Sequence, residues 1–146
     1  MAEPGVLELP DGARLRGRGI RQGQPTTLPD WTLYLLNRPP QDPSASRWVR
    51  WPDFWVPHDL DDARSAFQEA HRRALAGELV DVSCAGGRGR TGTAIACIAQ
   101  LGGVPAAEAV AWTRRHYSPH AIEMPWQRRY AERFSRNGSM VGIEWL

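Results

Sequence analysis

Lysine is absent from these 146 residues, and all eighteen basic side chains are arginine. With abundant Ala, Gly and Pro, this looks like the coding bias of a high-GC, bacterial source. The formal net charge is only +2. The arginines are scattered along the chain rather than gathered into a basic block, which argues against a nucleic-acid partner. Cysteine is nearly missing too: Cys84 and Cys97 are the two present. With 91–101 helical, Cys97 lies about 10 Å along the axis from the loop that carries Cys84, beyond disulfide reach. Two unpaired thiols fit a reducing cytosol, and Cys97 reads as a small buried hydrophobe. No apolar run of eighteen residues and no N-terminal signal-like segment is present, so a cytoplasmic chain with no membrane span is expected. His58, His71, His116 and His120 lack metal-ligand spacing. Repeats and low-complexity tracts are also missing.

The length suits one domain, 1–146, able to bury roughly two-thirds of its extended-chain surface. Met1–Gly5 reads as frayed. Val6–Pro10 and Ala13–Arg18 alternate around Asp11-Gly12, a hairpin signal. Gly19–Pro29 is loop-like, Trp31–Leu36 (WTLYLL) reads as a buried strand, Arg38–Ser46 as a surface connection, and Arg47–Trp51 as another strand. Asp61-Asp62 offers the N-cap of a helix over Ala63–Ala76. Its face carries Ala63, Ala66, Phe67, Ala70, Ala74 and Leu75, and Gly77 supplies the stop. Pro105 at N1 starts a helix to about His116, Pro125 starts another through Ser135, and Ser139–Leu146 reads as a strand or a docked tail. Early strands followed by packed helices predict an α/β fold, a mixed central sheet flanked by helices.

Val80–Gly92 (VDVSCAGGRGRTG) organises the rest. A strand over Leu79–Ser83, a Gly-rich loop and a helix over Thr91–Leu101 place loop amides and a helix N-terminus at one point, an arrangement that holds an anion. Cys84 opens the loop and Arg90 closes it, five residues intervening. Groups that would hold a phosphate also stabilise a thiolate, which makes Cys84 a candidate nucleophile near neutral pH. The planar fork of Arg90 can grip two phosphoryl oxygens, and the Thr91 hydroxyl is placed to hydrogen-bond the sulfur. An ordinary Gly-rich turn with a buried cysteine would explain neither the arginine nor the spacing.

The run Cys84-Ala85-Gly86-Gly87-Arg88-Gly89-Arg90-Thr91-Gly92 resembles the C-x5-R-[S/T] signature of cysteine-dependent tyrosine and dual-specificity phosphatases. That resemblance implies a tyrosine-phosphatase-like fold and hydrolysis of a phosphate monoester through a phosphocysteine, with no metal or organic cofactor. Cys84 would attack phosphorus. Arg90 and the amides of Ala85, Gly86, Gly87, Arg88, Gly89 and Arg90 would hold the phosphoryl group, and Thr91 would help the thiolate leave. Trp51-Pro52-Asp53-Phe54-Trp55-Val56-Pro57 resembles the family's acid loop, W-P-D-x-G-V-P, and lies 31 residues before the nucleophile (84 − 53). It implies Asp53 as general acid, with Asp59 the next candidate. An acid before the cysteine argues against low-molecular-weight phosphatases and arsenate reductases, which place theirs after it.

Glu123–Tyr130 is similar to the family's water-positioning loop, with Gln127 in that role. The chain departs from the pattern at Trp55, where the family has Gly, and at Ser83, where it has His. Trp55 and Trp126 suit a flat aromatic substrate, and with Arg88 form the expected substrate-binding set. The expected partner is a phosphorylated protein bearing phosphotyrosine. Alternatives are a phosphoinositide or other polyanionic phosphate drawn by Arg88, a silent phospho-ligand module, and sulfur transfer or arsenate reduction, which would want a resolving cysteine.

Overall fold

The computed structural model describes residues 5–41 and 46–139. The expectations for Met1–Gly5 and Ser139–Leu146 fall mostly outside these residues, as does much of the connection Arg38–Ser46. Five strands form one sheet in the order β1-β2-β5-β3-β4: β1 Val6–Glu8, β2 Arg14–Gly19, β3 Trp31–Leu36, β4 Ser46–Arg50 and β5 Val80–Cys84. β1 runs antiparallel to β2, and the other pairs are parallel. The sheet is mixed, as expected.

The β1–β2 hairpin turns at Asp11-Gly12, where Asp11 Oδ1 accepts the Ala13 N–H at 3.1 Å and Gly12 takes φ +94, a conformation glycine adopts without penalty. Alternation then sorts the strands. Trp31, Leu33, Leu35, Val80, Val82 and Cys84 are buried in the common core. The other face of β5 carries Asp81, which forms a buried ion pair with Arg16 at 2.7 Å, while Arg16 also donates to the Thr27 carbonyl. The 20–30 segment thereby covers the polar face of the sheet.

α1 spans Leu60–Leu75, capped by Asp59, whose carboxylate accepts the Asp62 N–H at 3.0 Å. Asp61 and Asp62, expected as caps, sit in the first turn instead, where their charge favours the helix dipole. Ala63, Ala66, Phe67, Ala70 and Ala74 are buried, but Leu75 in the last turn is exposed. Gly77 adopts φ +98 just beyond. α2 spans Gly89–Leu101 and packs against α1, β5 and β2. Pro105, expected at the start of α3, has ψ 141, which is extended. A 3-10 turn over Ala106–Glu108 intervenes before α3, Ala109–His116. α4 runs Pro125–Ser139. Among the described residues, no helix is long and apolar enough to cross a membrane.

Candidate active site

The site begins where β5 ends. Cys84 is buried, and its Sγ accepts two hydrogen bonds, from the Gly87 N–H at 3.2 Å and the Thr91 hydroxyl at 3.0 Å. α2 starts at Gly89, two residues earlier than expected, so Gly89 and Arg90 already belong to its first turn. The loop turns its carbonyls outward. Ala85 O accepts the Arg21 N–H, Arg88 O the amides of Gly92 and Ile122, and Gly89 O the Thr93 hydroxyl. The Gly87 carbonyl accepts the Tyr117 hydroxyl at 2.5 Å. Among the described residues, the amides of Gly86, Arg88, Gly89 and Arg90 have no partner. They are the donors a bound anion would use. Gly87 has φ +75, and a Cβ there would lie 2.6 Å from the Gly19 nitrogen. Only glycine fits between this loop and the end of β2.

Arg90 is buried. Its Nη1 donates to the Trp51 carbonyl at 3.1 Å, and its Nη2 lies 3.4 Å from Asp53 Oδ1. One guanidinium therefore joins the phosphate loop to the 51–57 segment. Asp53 is exposed toward the cavity, and its Oδ1 also accepts the Phe54 N–H at 2.9 Å. Phe54 has φ +61, unfavourable for a bulky residue and sustained by the contacts around it. The Trp55 carbonyl accepts from Trp51 Nε1 at 2.6 Å and from Gln127 Nε2 at 3.0 Å, while the Phe54 carbonyl accepts from Trp126 Nε1 at 2.6 Å. The Trp55 and Trp126 rings pack at a tilt of 53°, with centroids 5.3 Å apart.

A cavity of about 320 Å³ opens over the sulfur, lined by Arg21, Asp53, Phe54, Cys84, Gly86, Arg88, Gly89, Arg90 and Glu123. Burial pushes the Tyr117 phenol well above its ordinary value, and the neighbouring Cys84 adds to the effect. Tyr117 therefore remains a hydrogen-bond donor to the loop across the physiological range.

No family model and no curated protein sequence matches the chain. Solved structures do. A crystal structure of DUSP15 is 16% identical and aligns with a TM-score of 0.71 over 94% of this chain and 92% of its own. Tk-PTP in its active form is 19% identical, with a TM-score of 0.67 over 92% of this chain and 99% of its own. The Yvh1 phosphatase domain from Chaetomium thermophilum is 16% identical, with a TM-score of 0.61 over 92% and 97%. The chain has the tyrosine and dual-specificity phosphatase fold.

Within this phosphatase fold, Cys84, Arg88, Arg90 and Asp53 meet at one cavity, with Thr91 behind the sulfur. Gln127, Trp55 and Trp126 do not line it. Gln127 is fully buried, its Oε1 taken by the amides of Glu123 and Met124 and its Nε2 by Trp55. The two tryptophans, expected to suit a flat substrate, instead join the 51–57 loop to α4: the Trp126 indole N–H donates to the Phe54 carbonyl, and the Trp55 carbonyl accepts from Gln127 while its ring lies against that of Trp126. The aromatic ring at the cavity is Phe54. Sequence reading passed over it as the variable position of the motif, and it also passed over Arg21 and Tyr117; Glu123 entered only as the first residue of the 123–130 loop. The signal for Tyr117 was slight: a tyrosine after a helix, with Gly17 leaving room for its ring. A Cβ on Gly17 would lie 2.4 Å from Tyr117 Cε1.

Proposed function

We propose that this chain hydrolyses phosphate monoesters through a phosphocysteine, with phosphotyrosine in proteins as the main substrate. The observation that carries the reading is the pair of hydrogen bonds at Cys84 Sγ, set beneath a cavity that also holds Arg90 and Asp53. Cys84 thiolate attacks phosphorus, so an S–P bond forms as the P–O bond to the leaving group breaks. Arg90 and the free loop amides take the charge on the equatorial oxygens, and Asp53 protonates the departing oxygen. Asp53, now a carboxylate, accepts a proton from water. The water oxygen bonds to phosphorus, the S–P bond breaks, and inorganic phosphate leaves with the thiolate restored. Thr91 donates to that sulfur as it departs. Gln127 acts by holding the acid loop through Trp55. Phe54, beside Asp53, offers an apolar face for a phenyl ring. A nucleophilic thiolate of this kind needs a reducing compartment, which supports a cytoplasmic location.

Purified protein tested on phosphotyrosine, phosphoserine and phosphoinositide substrates decides the substrate class. Phosphotyrosine turnover should dominate; a greater rate on phosphoinositides would overturn the assignment. Cys84→Ser should abolish turnover, and activity surviving in that variant would refute the mechanism. Iodoacetate should label Cys84 well before Cys97, whose thiol burial pushes far above its ordinary value. Vanadate should protect Cys84.

A further inference from the structure

We propose that Arg21 and Arg88 form a second anion subsite beside the phosphate loop, selecting phosphotyrosine peptides that carry an acidic side chain next to the phosphotyrosine. This rests on the phosphatase reading above. Arg21 belongs to the 3-10 turn Ile20–Gln22 that follows β2. The register Gly19↔Cys84 delivers this turn to the mouth of the loop, and the Arg21 N–H donates to the Ala85 carbonyl at 3.1 Å. Contact is close enough that a Cβ on Gly19 would meet the Gly86 carbonyl carbon at 2.7 Å. A Cβ on Gly86 would lie 4.0 Å from Arg21 Nη1, so the guanidinium stands over the loop itself.

The three arginines of the cavity are not equivalent. Arg90 is buried and engaged by Trp51 and Asp53. Arg21 and Arg88 are exposed, and among the described residues neither guanidinium has a hydrogen bond or ion pair. A phosphoryl group seated in the loop is already met by Arg90 and the free amides. Two further cations on the same rim have nothing in an isolated phosphotyrosine to bind, and fit a second anionic group.

The cavity also carries charge of both signs. Asp53 and Glu123 line it together with Arg21 and Arg88, so a substrate ringed with phosphates would set one against a carboxylate. A single acidic neighbour placed toward the arginines avoids that repulsion. On the Arg88 side an adjoining hollow of about 280 Å³ shares Gly86 and Arg88 with the cavity and continues to Gln22, Tyr117 and His120.

The test compares kcat/KM on phosphotyrosine peptides with neutral flanks, with aspartates on the N-terminal side, and with aspartates on the C-terminal side. Phenyl phosphate and a soluble inositol polyphosphate complete the set. One acidic peptide should exceed the neutral peptide by roughly tenfold at low salt. That preference should shrink at about 0.5 M salt, where charges are screened over a few ångströms. Arg21→Ala should lower kcat/KM on the acidic peptide several-fold more than on phenyl phosphate. Equal rates on acidic and neutral peptides, or a proportional loss on both substrates in Arg21→Ala, would overturn the subsite. Inositol polyphosphate turning over faster than the acidic peptide would overturn the peptide assignment. If no ester is hydrolysed, the phosphatase reading fails, and the subsite is decided by binding. Fluorescence anisotropy should then show the acidic peptide bound more tightly than the neutral one, and less so by Arg21→Ala; equal binding would overturn it.

Discussion

The side-chain amide of Gln127 donates to the main-chain carbonyl of Trp55 at 3.0 Å, across 72 residues of sequence. The first turn of α4 thus holds the loop that carries Asp53 over Cys84. Trp126, the preceding residue, adds a hydrogen bond to the Phe54 carbonyl and a tilted ring contact with Trp55.

We expect this latch to set how long Asp53 stays beside Arg90. Trp126→Ala removes one hydrogen bond and one ring contact, each worth about 0.5–1.5 kcal/mol. We expect kcat on phenyl phosphate to fall about three- to tenfold while the rate of Cys84 alkylation stays at the wild-type value. A parallel fall in alkylation would show that Trp126 supports the phosphate loop instead. Gln127→Ala leaves the Glu123 and Met124 amides without their acceptor and should cost about 2–3 kcal/mol in denaturant unfolding.

Asp53 is the cavity carboxylate paired with Arg90, at 3.4 Å. Acid catalysis by such a group contributes about 10²–10⁴-fold. Asp53→Asn should therefore lower kcat by that order and flatten the basic limb of the pH–rate profile. An unchanged basic limb would move the role to Asp59, which here caps α1.

Two hydrogen bonds meet at Gly87: the Tyr117 hydroxyl donates to its carbonyl, and its N–H donates to Cys84 Sγ. Ser83, in the position where a histidine was expected, has a buried hydroxyl with no partner among the described residues, so it lends no such support. Tyr117→Phe keeps the ring against Gly17 and removes only the hydroxyl. We expect a stability loss of about 1 kcal/mol, together with a several-fold change in the rate at which iodoacetate labels Cys84. A stability loss with no change in that rate would leave Tyr117 a purely structural contact.

Glu69 on α1 is shared by Arg47 of β4 at 3.0 Å and by Arg73 at 3.1 Å. Desolvation alone would raise its carboxyl, but the hydrogen bonds and charges of Arg47 and Arg73 outweigh it and hold the group below its ordinary 4.5. The unfolded chain therefore binds the proton more readily than the folded one. The contribution is complete above about pH 4.5 and is lost as pH falls through the lower folded value. Melting temperatures should drop below that pH more steeply in the wild type than in Glu69→Gln, and the two should converge in acid.

What the sequence determined by itself is local. Cys84, Arg90 and Thr91 lie within eight consecutive residues, so one strand, one tight loop and one helix turn oblige them to converge. Aromatic and β-branched content marked β3 and alternation marked β5, and Gly12 and Gly77 stand where the chain needs φ above zero. Asp59, Asp61 and Asp62 were equally able to cap α1, and only the backbone path into the first turn chose Asp59. The remaining decisions belong to tertiary structure. Arg21 reaches the cavity because β2 and β3 both pair with β5, which brings the turn after Gly19 to a loop some 63 residues later (84 − 21). Trp55 and Trp126 became a latch because the Trp126 indole N–H and the Trp55 carbonyl find partners across the interface of loop and helix. Such pairings depend on strand order and register, and no spacing along the chain encodes which distant groups will meet.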